Sequence, residues 1–307
     1  MTERGTAVSF RRLPWVRTRH GLRDSGRGLN CGAAIALGME PPVPHVLATS
    51  HPVLSRRALL AAGAVSAGAP ARAATVLAAT PISRMDLKWW RERHLAKLEE
   101  LRRTRPNLIF LGDSITQSWE YDGPEAWRNF VPIWRQFYGG RNAINLGFSG
   151  DTTASLLWRI RNGETGGIAP KVAVILIGAN NLGRLRWSAD DTILGIDTIV
   201  NDLRSRLPAT HLLLLGILPS ERSDWTSQTG WTINRALDAK YAADRAVTFL
   251  DVGHVFMRGN QINRDLYYDP QLNPPSAALH PSAQGQGLMA AAMEPVLAGM
   301  LGDRPHG

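Results

Sequence analysis

A single cysteine, Cys31, occurs in 307 residues, and it stands in the leading segment. The remainder therefore has no disulfide framework and no cysteine-ligated metal site. No Gly-x-Ser-x-Gly elbow is present, since Ser149 is followed by Gly150-Asp151, and neither a G-x-x-x-x-G-K phosphate loop nor a dinucleotide fingerprint occurs. Basic charge is scarce where it would matter. The chain is formally +9, yet residues 1–73 hold ten Arg against three acids, which leaves 25 basic and 23 acidic side chains over 74–307. A surplus of two over a domain of that size is no electrostatic footprint for DNA or RNA, so nucleic acid is not expected as a partner.

Long apolar runs are lacking too. The stretch of small and apolar residues after Arg57 lasts 14 positions, short of the ~20 that a membrane span needs. Preceded by Ser55-Arg56-Arg57 and closed by Pro70 and Ala71-Arg72-Ala73, it reads as an export signal, the paired arginines indicating the twin-arginine route and cleavage falling after Ala73. An ordinary Ala-rich helix is the alternative, but Gly63, Gly68 and Pro70 interrupt it and it has no polar face. The sequence before Ser55 is rich in Arg, Gly and Pro without periodicity, and is expected to be disordered or an over-extended start, with Met39 a second candidate initiator. In this reading 1–73 is a leader destined for export to the periplasm or beyond, 74–84 a linker, and 85–303 one domain without internal repeats.

The domain itself alternates two periodicities. Leu87, Trp90, Leu95, Leu98 and Leu101 mark an amphipathic helix over 85–103, stopped before Pro106. Strands are expected at 107–111, 142–146, 172–177, 212–218 and 247–252, each an apolar run of strand length. Helices are expected after Asp151 or Thr152, over 190–207, over 233–244, and from His280-Pro281-Ser282 to about Leu301. Strands alternating with helices imply right-handed βαβ units and a parallel sheet covered on both faces.

Chemistry-bearing residues sit where these strands end. Leu108-Ile109-Phe110-Leu111 runs into Gly112-Asp113-Ser114-Ile115-Thr116, delivering a serine hydroxyl to the carboxyl edge of the sheet, where open α/β sheets bind ligands. Gly150 follows the second strand, Asn180 the third, and His280 lies in the final loop. Together they hold what acyl transfer needs: a hydroxyl nucleophile in Ser114, a base in His280, and hydrogen-bond donors for an oxyanion in the Ser114 and Gly150 N–H groups and the Asn180 amide. Each residue has an ordinary reading as well. Gly-Asp-Ser and Asn180 are common turn formers, and His254, after the fifth strand, is a rival to His280.

Gly112-Asp113-Ser114-Ile115, Gly150, Gly178-x-Asn180 and His280, in that order, resemble the four blocks of the SGNH, or GDSL-type, hydrolase family over essentially all of 107–300. Gly150-Asp151-Thr152-Thr153 with Leu157-Trp158-Arg159-Ile160-Arg161-Asn162-Gly163-Glu164 resembles more narrowly the catalytic subunits of the intracellular platelet-activating-factor acetylhydrolases. The resemblance implies a three-layer, flavodoxin-like α/β fold with about five parallel strands, and esterase chemistry without metal or cofactor. It also implies roles for Ser114 as nucleophile, His280 as base, and Ser114, Gly150 and Asn180 as oxyanion donors. The expected substrate is a lipid, glycan or small-molecule ester of a short acyl group, acetyl foremost. A non-catalytic flavodoxin-like binding protein, using the 114–118 loop to hold a phosphate, is the alternative.

In one respect the chain departs from the family. Asp commonly stands three residues before the family's histidine, and here that position is Ala277. The expectation is accordingly a Ser114–His280 dyad whose imidazole is oriented by a main-chain carbonyl of residues 275–278, with Asp269 or Asp265 as the carboxylate alternatives. Among the tryptophans, Trp89, Trp90 and Trp158 read as packing, whereas Trp119, Trp187 and Trp225 are candidates to line an acyl or sugar subsite.

Overall fold

The computed structural model describes residues 75–307, and the expected leader with its signal and cleavage site lies outside them. Strands β1 (Leu108–Gly112), β2 (Ala143–Gly147), β3 (Val172–Leu176), β4 (His211–Leu215) and β5 (Val247–Leu250) form one sheet in the order β2-β1-β3-β4-β5. Every pairing is parallel, and Leu108 sits opposite Ala143 on one side and Val172 on the other. Parallel strands require crossovers. These are supplied by helices α2 (Ser114–Gln117), α3 (Val131–Tyr138), α4 (Thr153–Arg159), α5 (Ala179–Gly183), α6 (Ala189–Arg206) and α7 (Asp224–Tyr241), while α1 (Lys88–Thr104) precedes the sheet and α8 (Ala283–Leu301) follows it.

Two cores follow from the alternation of side chains along each strand. Ile109, Leu111, Ala173, Ile175, Leu212 and Leu214 face one way and pack against Leu156 of α4, Ile196, Val200 and Leu203 of α6, and Ile233 and Leu237 of α7. Leu108, Phe110, Val172, Val174, Leu213 and Leu215 face the other, against Phe137 of α3 and Met289, Met293 and Leu297 of α8. With both faces covered, β1 and β3 are buried along their whole length, which is why they read as unbroken apolar runs. The architecture is the three-layer α/β arrangement of the SGNH/GDSL hydrolases, with five parallel strands as expected.

Some boundaries differ from those the sequence suggests. Helix α7 begins at Asp224, not near Ile233, because Ser223 accepts the Thr226 N–H and starts the helix two turns early, in a stretch whose apolar spacing is weak. Strand β4 stops at Leu215, and Ile217 is instead held by both ends of the Asn234 amide. The stretch expected as a linker is packed on the domain from the turn at Leu77 onward. A 3-10 turn at Leu77–Ala79 buries Ala78 against α6, where the absence of a side chain at Gly195 leaves room for the Ala78 carbonyl, and that carbonyl accepts the Thr153 hydroxyl. No helix among the described residues is long and apolar enough to cross a membrane.

Candidate active site

The order of the sheet reverses direction beside β1, whose neighbours are β2 and β3, and the loops after these three strands meet at that point. Gly112 ends β1 in a spot where a Cβ would strike Thr116 Oγ1 and the Leu176 carbonyl, so the turn into Ser114 admits no side chain there. Asp113 caps α2 by accepting the Ile115 N–H at 3.0 Å. Ser114, the first residue of that helix, presents its hydroxyl to the open edge.

Ser114 Oγ lies 2.9 Å from His280 Nε2, and His280 Nδ1 lies 2.7 Å from Asp269 Oδ1. Both contacts are of hydrogen-bond length. Asp269 Oδ2 accepts two further donors, the N–H groups of Leu279 at 2.9 Å and His280 at 2.5 Å. Burial alone would raise the Asp269 carboxyl, but the hydrogen bond and charge of His280 and those two N–H groups hold it below the usual carboxylate range. Tyr268 stacks on the imidazole, ring centres 5.2 Å apart and planes 7° from parallel, which limits rotation of the ring. The imidazole is thus fixed on three sides.

These contacts correct the expected dyad. No main-chain carbonyl of 275–278 holds His280 Nδ1: Ala278 O accepts the Glu221 N–H, and Ala277 is exposed. Asp265 is also out of place, exposed on the surface 3.4 Å from Arg258. Asp269 reaches the histidine because the chain doubles back. Tyr267 pairs antiparallel with Pro281, and the Tyr268 N–H donates to His280 O, so residues 267–269 lie alongside 279–281 while 270–277 loops outward. Of the other rivals, His254 is turned away, its Nδ1 3.2 Å from Asp251 O.

The proposed oxyanion donors gather on the other side of Ser114. Gly150 has φ +74°, a left-handed conformation that glycine adopts without strain, and its N–H donates to no protein acceptor among the described residues. Neighbouring Ser149 is positioned through its own N–H, which donates to Gln117 Oε1 at 2.7 Å. Asn180 Nδ2 donates to Asp151 O at 3.0 Å and stands 3.4 Å from Asp113 Oδ2. The second contact is at the limit of a hydrogen bond, so that proton is the one free to turn to a substrate. Asn181 is structural: its amide grips Thr153 through both N and O.

A buried ionic cluster lies directly beneath Gly150, and single-sequence reasoning did not give it a role. Asp151 accepts Arg84 Nη1 at 2.7 Å, Trp90 Nε1 at 2.8 Å and Arg159 Nε at 2.8 Å. Arg159, wholly buried, also bonds Glu164 and the Gly112 carbonyl and lies 4.0 Å over the ring of Phe148. Glu164 in turn faces His94 Nδ1 at 3.2 Å. The Asp151 to Glu164 motif is therefore a brace joining the ends of β1 and β2 to α1. Of the tryptophans, Trp90 and Trp158 pack about this brace, Trp119 is buried in the core, Trp225 lies under Arg186, and Trp187 alone of the three candidates lines a cavity next to Gly150.

A parallel sheet with a hydroxyl, an imidazole and a carboxylate in hydrogen-bonded series at its carboxyl edge places the chain in the class of ester-bond hydrolases. The model of the GDSL-like Lipase/Acylhydrolase family matches residues 110–288, and the chain belongs to that family. It is 30% identical over 219 residues to platelet-activating factor acetylhydrolase IB subunit alpha1 of Homo sapiens, a match covering 67% of this chain and 90% of the relative. The alpha2 subunit of Gallus gallus is 30% identical over 172 residues, covering 56% and 70%. A crystal structure of a GDSL-like lipase from Bacteroides thetaiotaomicron superposes with a TM-score of 0.53 at 19% identity, over 68% of this chain and 97% of that one, a likeness of fold. Membership of a hydrolase family sets aside the alternative of a non-catalytic binding protein.

Proposed function

We propose that the protein is a serine esterase that removes a short acyl group, most often acetyl, from a lipid, glycan or small-molecule ester, with Ser114, His280 and Asp269 as its triad. The observation that carries this reading is the unbroken chain from Ser114 Oγ through His280 to Asp269, at 2.9 and 2.7 Å. Acetyl as the acyl group is supported by the relatives, whose names are those of acetylhydrolase subunits.

Each residue has one task in the reaction. His280 Nε2 takes the Ser114 proton as Oγ attacks the ester carbonyl, and the resulting oxyanion is received by the Ser114 and Gly150 N–H groups and the Asn180 amide. Asp269, ionised because its pKa is held down, keeps the remaining imidazole proton on Nδ1 and stabilises the ring once it is cationic. The same imidazolium then protonates the departing alkoxide, and a water molecule, deprotonated by His280, releases the acyl group from Ser114. Every proton in this cycle passes through Nε2.

The experiment is a rate series over 4-nitrophenyl esters of two to twelve carbons together with acetylated oligosaccharides. A kcat/KM that falls steeply beyond the shortest chains supports a short-acyl esterase, and a rise toward long chains would replace it with a lipase reading.

A further inference from the structure

The rim beside Gly150 carries more positive charge than this chemistry uses. A cavity of about 200 Å3 opens against Gly150, walled by Ile82, Leu185 and Trp187 and by two arginines, Arg84 and Arg184. The two arginines differ in one respect. Arg84 is committed to Ser149 O at 2.9 Å and Asp151 Oδ1 at 2.7 Å. Arg184 is exposed, has no carboxylate within 4 Å among the described residues and donates no side-chain hydrogen bond there, and its Nη1 rests on the face of Gly150 where a Cβ would stand. That face is beside the N–H proposed to receive the oxyanion.

A second guanidinium adds to it. Arg222 has only a 3.5 Å contact with the Ala179 carbonyl and no ion pair among the described residues. Its pKa is lowered by burial, and the nearby positive charge of Arg184 pushes the same way while Asp113 and Asp269 oppose. Of the other arginines of this edge, Arg93 is matched by Glu120 and Arg159 by Asp151 and Glu164, while Arg128 and Arg186 lie over the rings of Tyr268 and Trp225. Like charges in proximity repel unless an anion comes between them, and guanidinium pairs suit the planar oxygens of carboxylate and phosphate.

We infer that Arg184, with Arg222 behind it, binds an anionic group, a carboxylate or phosphate, carried by the ester close to its scissile bond, so that the enzyme selects acidic esters over neutral ones. The inference deepens the esterase reading and rests on it. Ile82, Leu185 and Trp187 then contact the carbon skeleton that joins the anion to the ester. The anion could belong to either half of the substrate, and the test separates the two.

Two matched pairs of esters decide the matter. 4-Acetoxybenzoate against its methyl ester places the charge on the alcohol half, and mono-4-nitrophenyl glutarate against 4-nitrophenyl pentanoate places it on the acyl half. The quantity read is the ratio of kcat/KM for the anionic ester to that for the neutral one, after subtracting spontaneous hydrolysis, in the wild type, Arg184→Gln and Arg184→Lys. In one pair the wild-type ratio is expected to exceed unity by about tenfold, the scale of one charge-assisted hydrogen bond, to act mainly through KM and to shrink with added NaCl. Arg184→Gln should bring the ratio to about one, and Arg184→Lys should keep part of it. A wild-type ratio near one in both pairs, or a ratio that survives in Arg184→Gln, would overturn the inference while hydrolysis of the neutral esters still upheld the esterase. Failure to hydrolyse any of the four would overturn the esterase reading, and this inference with it.

Discussion

Asp269 Oδ1 and His280 Nδ1 are 2.7 Å apart although they stand eleven positions apart in the chain, because 267–269 and 279–281 run side by side. The carboxylate comes from the limb of the loop opposite the one that carries Ala277 and His280. Asp269→Asn is therefore expected to lower kcat by about 10³–10⁴, the scale on which a triad carboxylate is neutralised. Asp265→Asn and Ala277→Asp should leave kcat nearly unchanged. Steady-state rates on 4-nitrophenyl acetate check all three, and near-normal turnover in Asp269→Asn would remove it from the site.

Ser114→Ala should abolish ester hydrolysis apart from a residue due to the oxyanion donors, with the fold intact, since the hydroxyl's only side-chain partner among the described residues is His280. Asn180→Ala should cost about 10²–10³ in kcat, the usual effect of one lost oxyanion donor. Thermal melts alongside the rates separate chemistry from folding. An active Ser114→Ala would place the nucleophile elsewhere.

Arg159→Met should destabilise the protein by about 3–5 kcal/mol, because it leaves Asp151 and Glu164 buried beside one another without the guanidinium between them. Urea titration measures this. A loss under about 1 kcal/mol, the usual size for an exposed pair, would mean that the brace is not under load.

Asp113 supplies a pH signature. Burial pushes its carboxyl up to about 6 from 3.8, against the Ile115 N–H and the nearby His280 charge. A carboxyl whose native pKa is raised stabilises the fold fully below its unfolded pKa and loses that contribution as pH rises through the native value. Between about pH 4 and 6 the native state binds the extra proton, so unfolding free energy from this group falls across that window, by up to about 3 kcal/mol. In Asp113→Asn, which keeps an oxygen for the Ile115 N–H, the change in unfolding free energy from pH 4 to pH 6.5 should be more positive than in the wild type. Identical pH profiles for the two proteins would show that Asp113 titrates alike in the folded and unfolded chain.

Export is open to a direct measurement. Arg56-Arg57 and Ala71-Arg72-Ala73 place the expected cleavage after Ala73, and the first residues packed on the domain, from Leu77, lie beyond it. Intact-mass analysis of protein recovered outside the cytoplasm should show an N-terminus near Ala74. Finding only full-length chain inside the cell would exclude the signal.

Much of this site was legible because its residues follow strands. Apolar runs of strand length name β1 and β3, and each delivers its polar terminus, Ser114 and Asn180, to one edge. Asp269 was legible only as an alternative, since a return loop of eight residues, 270–277, leaves no periodic trace and the family position held alanine. The early start of α7 was missed because Ser223 caps a first turn in which Trp225 is the only apolar residue. Arg184 and Gly150 are more than thirty residues apart, and nothing in either neighbourhood announces that they touch. Contacts through long side chains depend on packing, which single-sequence patterns do not encode.

The brace beneath Gly150 draws half of its members from outside the matched family region, which starts at residue 110: Arg84 and Trp90 hold Asp151, and His94 faces Glu164. Cutting the gene at the ends of the matched region would keep every reacting group while withdrawing those supports and the first two residues of β1. Two interior carboxylates would then divide a single guanidinium, leaving a surplus negative charge under the point where an oxyanion has to form. The smallest transplantable enzyme is therefore longer than its motifs suggest, and a graft into another scaffold has to begin no later than Ile82.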